Sequence, residues 1–196
     1  MKRILWMVLL LTLALPMAAF ADNQVDFTNS GGTLSETSAG LTLSGSTLIA
    51  MNGGGSGLKT GDLGTVNFST GMLTSGNLQD GATFAGGGSF VVWSNTSGTL
   101  FSGQFDGPVT WTLVTLANGT HNYTLTGALS GTWSTGMTVF GATTQLTINT
   151  GKGFFNGSTN ISSGDTNILV PEPGSLALIG TGLVGLAGAL RRKMKA

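Results

Sequence analysis

Two alternating segments meet at Asn118-Gly119, and no other stretch restricts the fold of this chain as tightly. Val109-Thr-Trp-Thr-Leu-Val-Thr-Leu116 precedes the dipeptide and His121-Asn-Tyr-Thr-Leu-Thr-Gly127 follows it. Asn-Gly between alternating segments is a hairpin signal, because both residues accept the positive φ of a tight primed turn. A two-residue turn there predicts Leu116 opposite His121, Val114 opposite Tyr123 and Thr112 opposite Leu125, one coherent face. Val109, Trp111 and Leu113 then fall on the other face, since the adjacent pair Leu113-Val114 breaks the alternation. A bulge near that pair, or apolar cover on both faces, reconciles the two.

The rest of the interior reads the same way. Val25 and Phe27, Leu41 and Leu43, Val66 and Phe68, and Ser89-Phe-Val-Val-Trp-Ser94 mark short strands, separated by turn clusters such as Asn29-Ser30-Gly31-Gly32 and Asp80-Gly81. No helical period appears between residues 22 and 169. Residues 51–64 are the longest break in apolar spacing and predict a loop. Glycine fills 33 of 196 positions with no period of three, which excludes collagen and argues for many turns. Phe101-x-Gly103-x-Phe105-x-Gly107 and Leu125-x-Gly127-x-Leu129-x-Gly131 echo each other 24 residues apart. Two copies do not make a solenoid, and the echo reads as strands with outward glycines or bent edges. The expectation is an all-β domain, an antiparallel β-sandwich or jelly-roll-like fold of about ten short strands, in preference to a parallel β-helix.

Both ends carry a different signature. Lys2 and Arg3 precede the apolar run Ile4–Leu15, and Ala19 and Ala21 occupy the small-residue positions that signal peptidase reads, so residues 1–21 form an expected signal-peptide helix. At the other end, Val170-Pro171-Glu172-Pro173 leads into sixteen apolar or small residues, 175–190, and then Arg191, Arg192, Lys193 and Lys195. As a helix that run rises about 24 Å, short of a hydrocarbon core of about 30 Å yet within reach of a single transmembrane crossing. The basic residues would then stop transfer and leave residues 22–169 outside the cytoplasm.

This tail resembles the PEP-CTERM sorting signal of Gram-negative bacteria, with Pro171, Glu172 and Pro173 as the namesake motif. The resemblance covers residues 170–196 and implies recognition by exosortase, a membrane-embedded cysteine protease of bacteria that make extracellular polysaccharide. It therefore implies a protein that spans the inner membrane until processed and then reaches the cell surface or the medium.

Between the two ends only Lys59 and Lys152 are basic, against Asp22, Asp26, Glu36, Asp62, Asp80, Asp106 and Asp165, a net charge of minus five. Such a domain does not neutralise a phosphate backbone, which argues against nucleic acid. With no cysteine in the chain, disulfides, thiolate nucleophiles and zinc-thiolate sites are excluded. Gly180-x-Gly182-x-x-Gly185 lacks the strand-turn-helix context of a dinucleotide site, and Leu58 stands where a phosphate-binding loop needs glycine before Lys59. His121 is the only histidine, and no G-x-S-x-G elbow accompanies it. No cofactor is expected. The reading is a non-enzymatic exported surface or matrix protein, with two alternatives. One is a carbohydrate-binding module stacking sugars on Trp93, Trp111, Tyr123 and Trp133; the other is a hydrolase built on a pair among Glu36, Asp62, Asp80 and Asp106.

Overall fold

A computed structural model describes residues 23–53 and 57–170. Its strands are β1 (Asn23–Ser30), β2 (Thr33–Thr37), β3 (Gly40–Gly53), β4 (Lys59–Ser69), β5 (Leu73–Asn77), β6 (Gly81–Phe84) and β7 (Gly87–Ser94). They continue as β8 (Gly98–Phe105), β9 (Val109–Thr115), β10 (His121–Trp133), β11 (Thr138–Asn149), β12 (Ser158–Asn160) and β13 (Ser163–Val170). The expected signal peptide 1–21, with Ala19 and Ala21, lies outside the described residues. So do Pro171, Glu172, Pro173, the 175–190 segment and the basic residues 191–195.

Eight of these strands close a barrel. Their order is β1-β3-β4-β7-β8-β10-β11-β13, and β13 returns to β1. Each barrel strand pairs with the next barrel strand along the chain, an up-and-down path. The closing seam is antiparallel like the rest. Thr28 Oγ1 donates to Asp165 Oδ1 and Asn167 Nδ2 donates to Asp26 Oδ1, so numbering rises on one strand as it falls on the other. This corrects the sandwich or jelly-roll expectation. A sandwich needs two sheets, each with its own edges, whereas β10–β11 and β13–β1 join one sheet into a ring. Curvature comes from irregularities in the long strands: β3 shifts register between Leu43 and Ser46, where Gly45 sits at φ 67°, and β11 carries an extra residue opposite β10. Bulges of this kind bend a strand and increase its twist.

Short strands hang from the barrel. The first half of β10 pairs with β9, which continues to β6 and β5 as a flap, while the second half pairs with β8. On the other side β2 pairs with the first half of β3 and carries β12. The expected loop at 51–64 is instead the end of a long hairpin, since Ala50 pairs with Thr60 and Met51 with Lys59. Its lack of apolar spacing reflects an arm exposed on both faces, and alternation is imposed only where one face is buried.

Inside, the barrel is filled. Eight strands enclose about enough width for side chains to meet, and here they do so through phenylalanines. Phe68 stacks on Phe90 at 5.8 Å between centroids, and Phe105 meets both edge-on at 5.6 and 6.0 Å. Glycines make room for those rings. A Cβ on Gly127 would strike the Phe105 ring, and one on Gly103 or Gly131 would strike Phe101. The echo of the sequence thus marks β8 and β10, paired Gly103 to Gly131 and Phe105 to Leu129, with Gly103, Gly127 and Gly131 turned inward rather than outward. Where these two strands pair with each other, the outward positions are Ser102, Gln104, Ser130 and Thr132.

The Asn118-Gly119 hairpin forms, one residue out of the expected register. Leu116 and Thr120 flank the turn, with Leu116 N–H donating to Thr120 O and Gly119 N–H to Leu116 O. Three residues therefore form the loop, with Gly119 alone at positive φ, 78°. Tyr123 pairs with Leu113 and Leu125 with Trp111, which puts Trp111, Tyr123 and Leu125 on one buried face without any bulge at Leu113-Val114. Val114 and Leu116 go to the exposed side. A β-branched residue at Gly119 would be forced into the left-handed region at a cost of about 1–2 kcal/mol. The Gly119→Val variant is expected to show that loss in its urea midpoint with an unchanged slope.

Candidate functional site

The four aromatic residues expected to stack on sugars do not form one surface. Trp111 and Tyr123 are buried, with their rings stacked at 4.9 Å and Phe155 against both. Trp111 Nε1 donates to Leu78 O at 2.9 Å and Tyr123 OH donates to Gln79 O at 2.8 Å, which ties β9 and β10 to the β5–β6 turn. Trp133 packs against the core, 5.8 Å from Phe27. Only Trp93 offers an open face, and it stands alone between Thr65 and Thr99. Buried aromatics with their polar handles satisfied are core residues.

The candidate acid and base groups have local partners. His121 faces the Thr115 hydroxyl at 3.0 Å through Nδ1 and stacks on Phe154 at 4.3 Å. Asp80 accepts from Asn77 Nδ2, Asp62 from Asn95 Nδ2 and Asp106 from Ser130 Oγ. Each therefore serves a local turn or strand contact. Among the described residues no three His, Asp or Glu side chains come together as a metal site.

What the barrel does present is a groove of about 370 Å³ on its outer face, running across β8, β10 and β11. Its floor is the row Ser102–Thr132–Thr138, set by direct pairing of the three strands, with Gln104 and Ser130 in the adjacent row. Phe140 forms one wall. The β11 bulge places it: Leu129 pairs with Ala142 and Gly131 with Val139, so β11 has one residue more than β10 over this span. Gly141, at φ 75°, takes up the excess, and Phe140 stands 70% exposed. Simple alternation would put Phe140 on the same side as the buried Ala142, so it does not single Phe140 out as a site residue. The available signal was the phenylalanine directly before a glycine in a strand, which marks a bulge.

Past Val170 the chain enters the proline-rich junction, the apolar run and the basic cluster. Residues 169–193 match the family described as the PEP-CTERM protein-sorting motif. The chain carries a PEP-CTERM signal. No curated protein and no solved structure matches the chain. The PEP-CTERM match supports an export and sorting signal. The accompanying expectation of a single-pass inner-membrane protein is corrected. Every described element is a strand, and no helix of the described residues is long and apolar enough to cross a membrane.

Proposed function

We propose that this protein is a non-enzymatic cargo of a PEP-CTERM sorting route, a β-barrel that is exported and processed at its tail by an exosortase-like protease. The observation that carries this reading is the motif at residues 169–193, which begins at the last two residues of the final barrel strand. The fold supports it in two ways. The barrel interior is packed with phenylalanine rather than shaped around a ligand. The one imidazole is taken up by Thr115 and Phe154, and three of the candidate carboxylates hold turns or strand contacts.

A protease that reads Pro171-Glu172-Pro173 needs those residues accessible as extended backbone, and the two prolines disfavour helix there. Intact-mass measurement of the protein recovered outside the cells tests the processing step. The expected mass lacks the segment after the motif, and replacing Pro171, Glu172 and Pro173 with alanine is expected to cut the processed form at least tenfold. Recovery of wild-type protein that still carries residues 175–196 would end the proposal.

A further inference from the structure

Phe140 is the most exposed large apolar side chain of the barrel, at 70%, and it borders a groove whose other side chains are hydroxyls and an amide. Its position is not an accident of a disordered end. Both strand neighbours in the alternation, Val139 and Ala142, are buried, and a bulge with Gly141 in the left-handed region turns the ring outward between them. Exposing a phenylalanine forgoes the stabilisation its burial would bring, and bulges are a recurrent means of re-aiming a side chain at a binding site.

The lining selects the chemistry of the occupant. Ser102, Gln104, Ser130, Thr132 and Thr138 supply groups that both donate and accept, and the lining contains no lysine, arginine or histidine. Asp106, which accepts from Ser130 Oγ at 3.3 Å, places a negative charge at the rim, and the domain as a whole is acidic. An anionic polymer, a phosphate or a nucleic acid would meet repulsion with no compensating cation. A purely apolar ligand would leave the hydroxyl row without partners. A pyranose ring has an apolar C–H face for an aromatic ring and a girdle of hydroxyls for serine, threonine and glutamine.

We infer that the β8–β10–β11 groove is a binding site for an uncharged oligosaccharide, with Phe140 stacking on one sugar ring and the Ser102–Thr132–Thr138 row and Gln104 holding its hydroxyls. The site is separate from the buried Trp111–Tyr123 pair. It does not depend on tail processing, so either proposal can fail without the other. The depression is shallow and open to solvent, so it would hold one face of a sugar chain rather than enclose a small ligand.

The test is titration of the exported protein, followed by calorimetry and by backbone amide shifts, with cello-, malto-, manno-, xylo- and chitohexaose as uncharged probes and hexagalacturonate as the charged one. At least one uncharged hexasaccharide is expected to bind and to shift amides of residues 102–104, 130–132 and 138–141, while hexagalacturonate binds at least tenfold more weakly. Phe140→Ala is expected to weaken binding about tenfold and Phe140→Tyr to retain it, both with the melting temperature of the parent. The inference is overturned if none of the uncharged probes binds, if shifts map away from the groove, or if Phe140→Ala binds like the parent. It is equally overturned if hexagalacturonate binds more tightly than the uncharged probes. Self-association of the parent that Phe140→Ala abolishes would assign the ring to a contact between copies instead and would also overturn it.

Discussion

Truncating Trp111 to alanine is expected to cost the barrel about 4–5 kcal/mol, the upper end of the range for removing a buried tryptophan. Three contacts go at once. The Tyr123 ring loses a partner stacked at 4.9 Å, Phe155 loses an edge contact at 5.3 Å, and Leu78 O loses the indole N–H that satisfied it. The last loss prevents the site from relaxing cheaply, because an unpaired buried carbonyl costs about 1–3 kcal/mol by itself. Trp111 also bonds to a residue between β5 and β6, so the variant weakens the hold of the flap as well as the core beneath it. With total stabilities of about 5–15 kcal/mol, a loss of this size leaves a marginal fold. Urea denaturation should show the midpoint falling with little change in slope, and the melting temperature should drop by about 10–15 °C. Trp93 supplies the contrast. It is 42% exposed, and Trp93→Ala is expected to stay within about 0.5 kcal/mol of the parent. Equal effects from the two would refute the assignment of one tryptophan to the core and the other to the surface.

Much of the all-β character was legible in the chain because alternation is a local property. Val25 and Phe27, Val66 and Phe68, and Phe90 and Val92 all face the interior as their spacing implies. Closure was not legible, because the pairings that make a ring rather than two sheets join strands through their register, and β13 meets β1 from the far end of the domain. Nor could Asn118-Gly119 set its own register. The same dipeptide serves a two-residue or a three-residue loop, and one residue of difference exchanges the two faces. Trp111 and Val114 exchanged sides relative to Tyr123 on that single step. The groove was illegible for a related reason: its floor is assembled from three strands, and Phe140 reaches it through a bulge that simple alternation conceals. The tail, by contrast, is read as linear sequence, and there the motif itself was found where the residues pointed.

Adding one methyl group at Gly131 is expected to damage the barrel nearly as severely as removing the Trp111 ring. Gly131 faces Gly103 across the β8–β10 pairing. A Cβ on it would overlap Ser102 O, approach Gly103 Cα to 2.6 Å and meet Phe101 Cζ at 2.8 Å. Two of these three atoms belong to the β8 backbone, which cannot swing aside as the end of a side chain can. Relief requires the two strands to part, and parting them weakens a ladder that the barrel needs to stay closed. Gly131→Ala is therefore placed at the upper end of the overpacking range, about 3 kcal/mol. The same strands carry Ser102 and Thr132 on their outer side, so the displacement also reaches the groove floor. Gly107 gives the control within the same repeated pattern. A Cβ there meets nothing within 4 Å, and its φ lies outside the left-handed region. Gly107→Ala is thus expected to be neutral or to stabilise by up to about 1 kcal/mol, through a less flexible unfolded chain. Urea midpoints of the two variants separate the ideas cleanly. If Gly131→Ala is as stable as Gly107→Ala, the inward glycines are not what lets the phenylalanines fill the barrel, and the physical account of its core fails at that point.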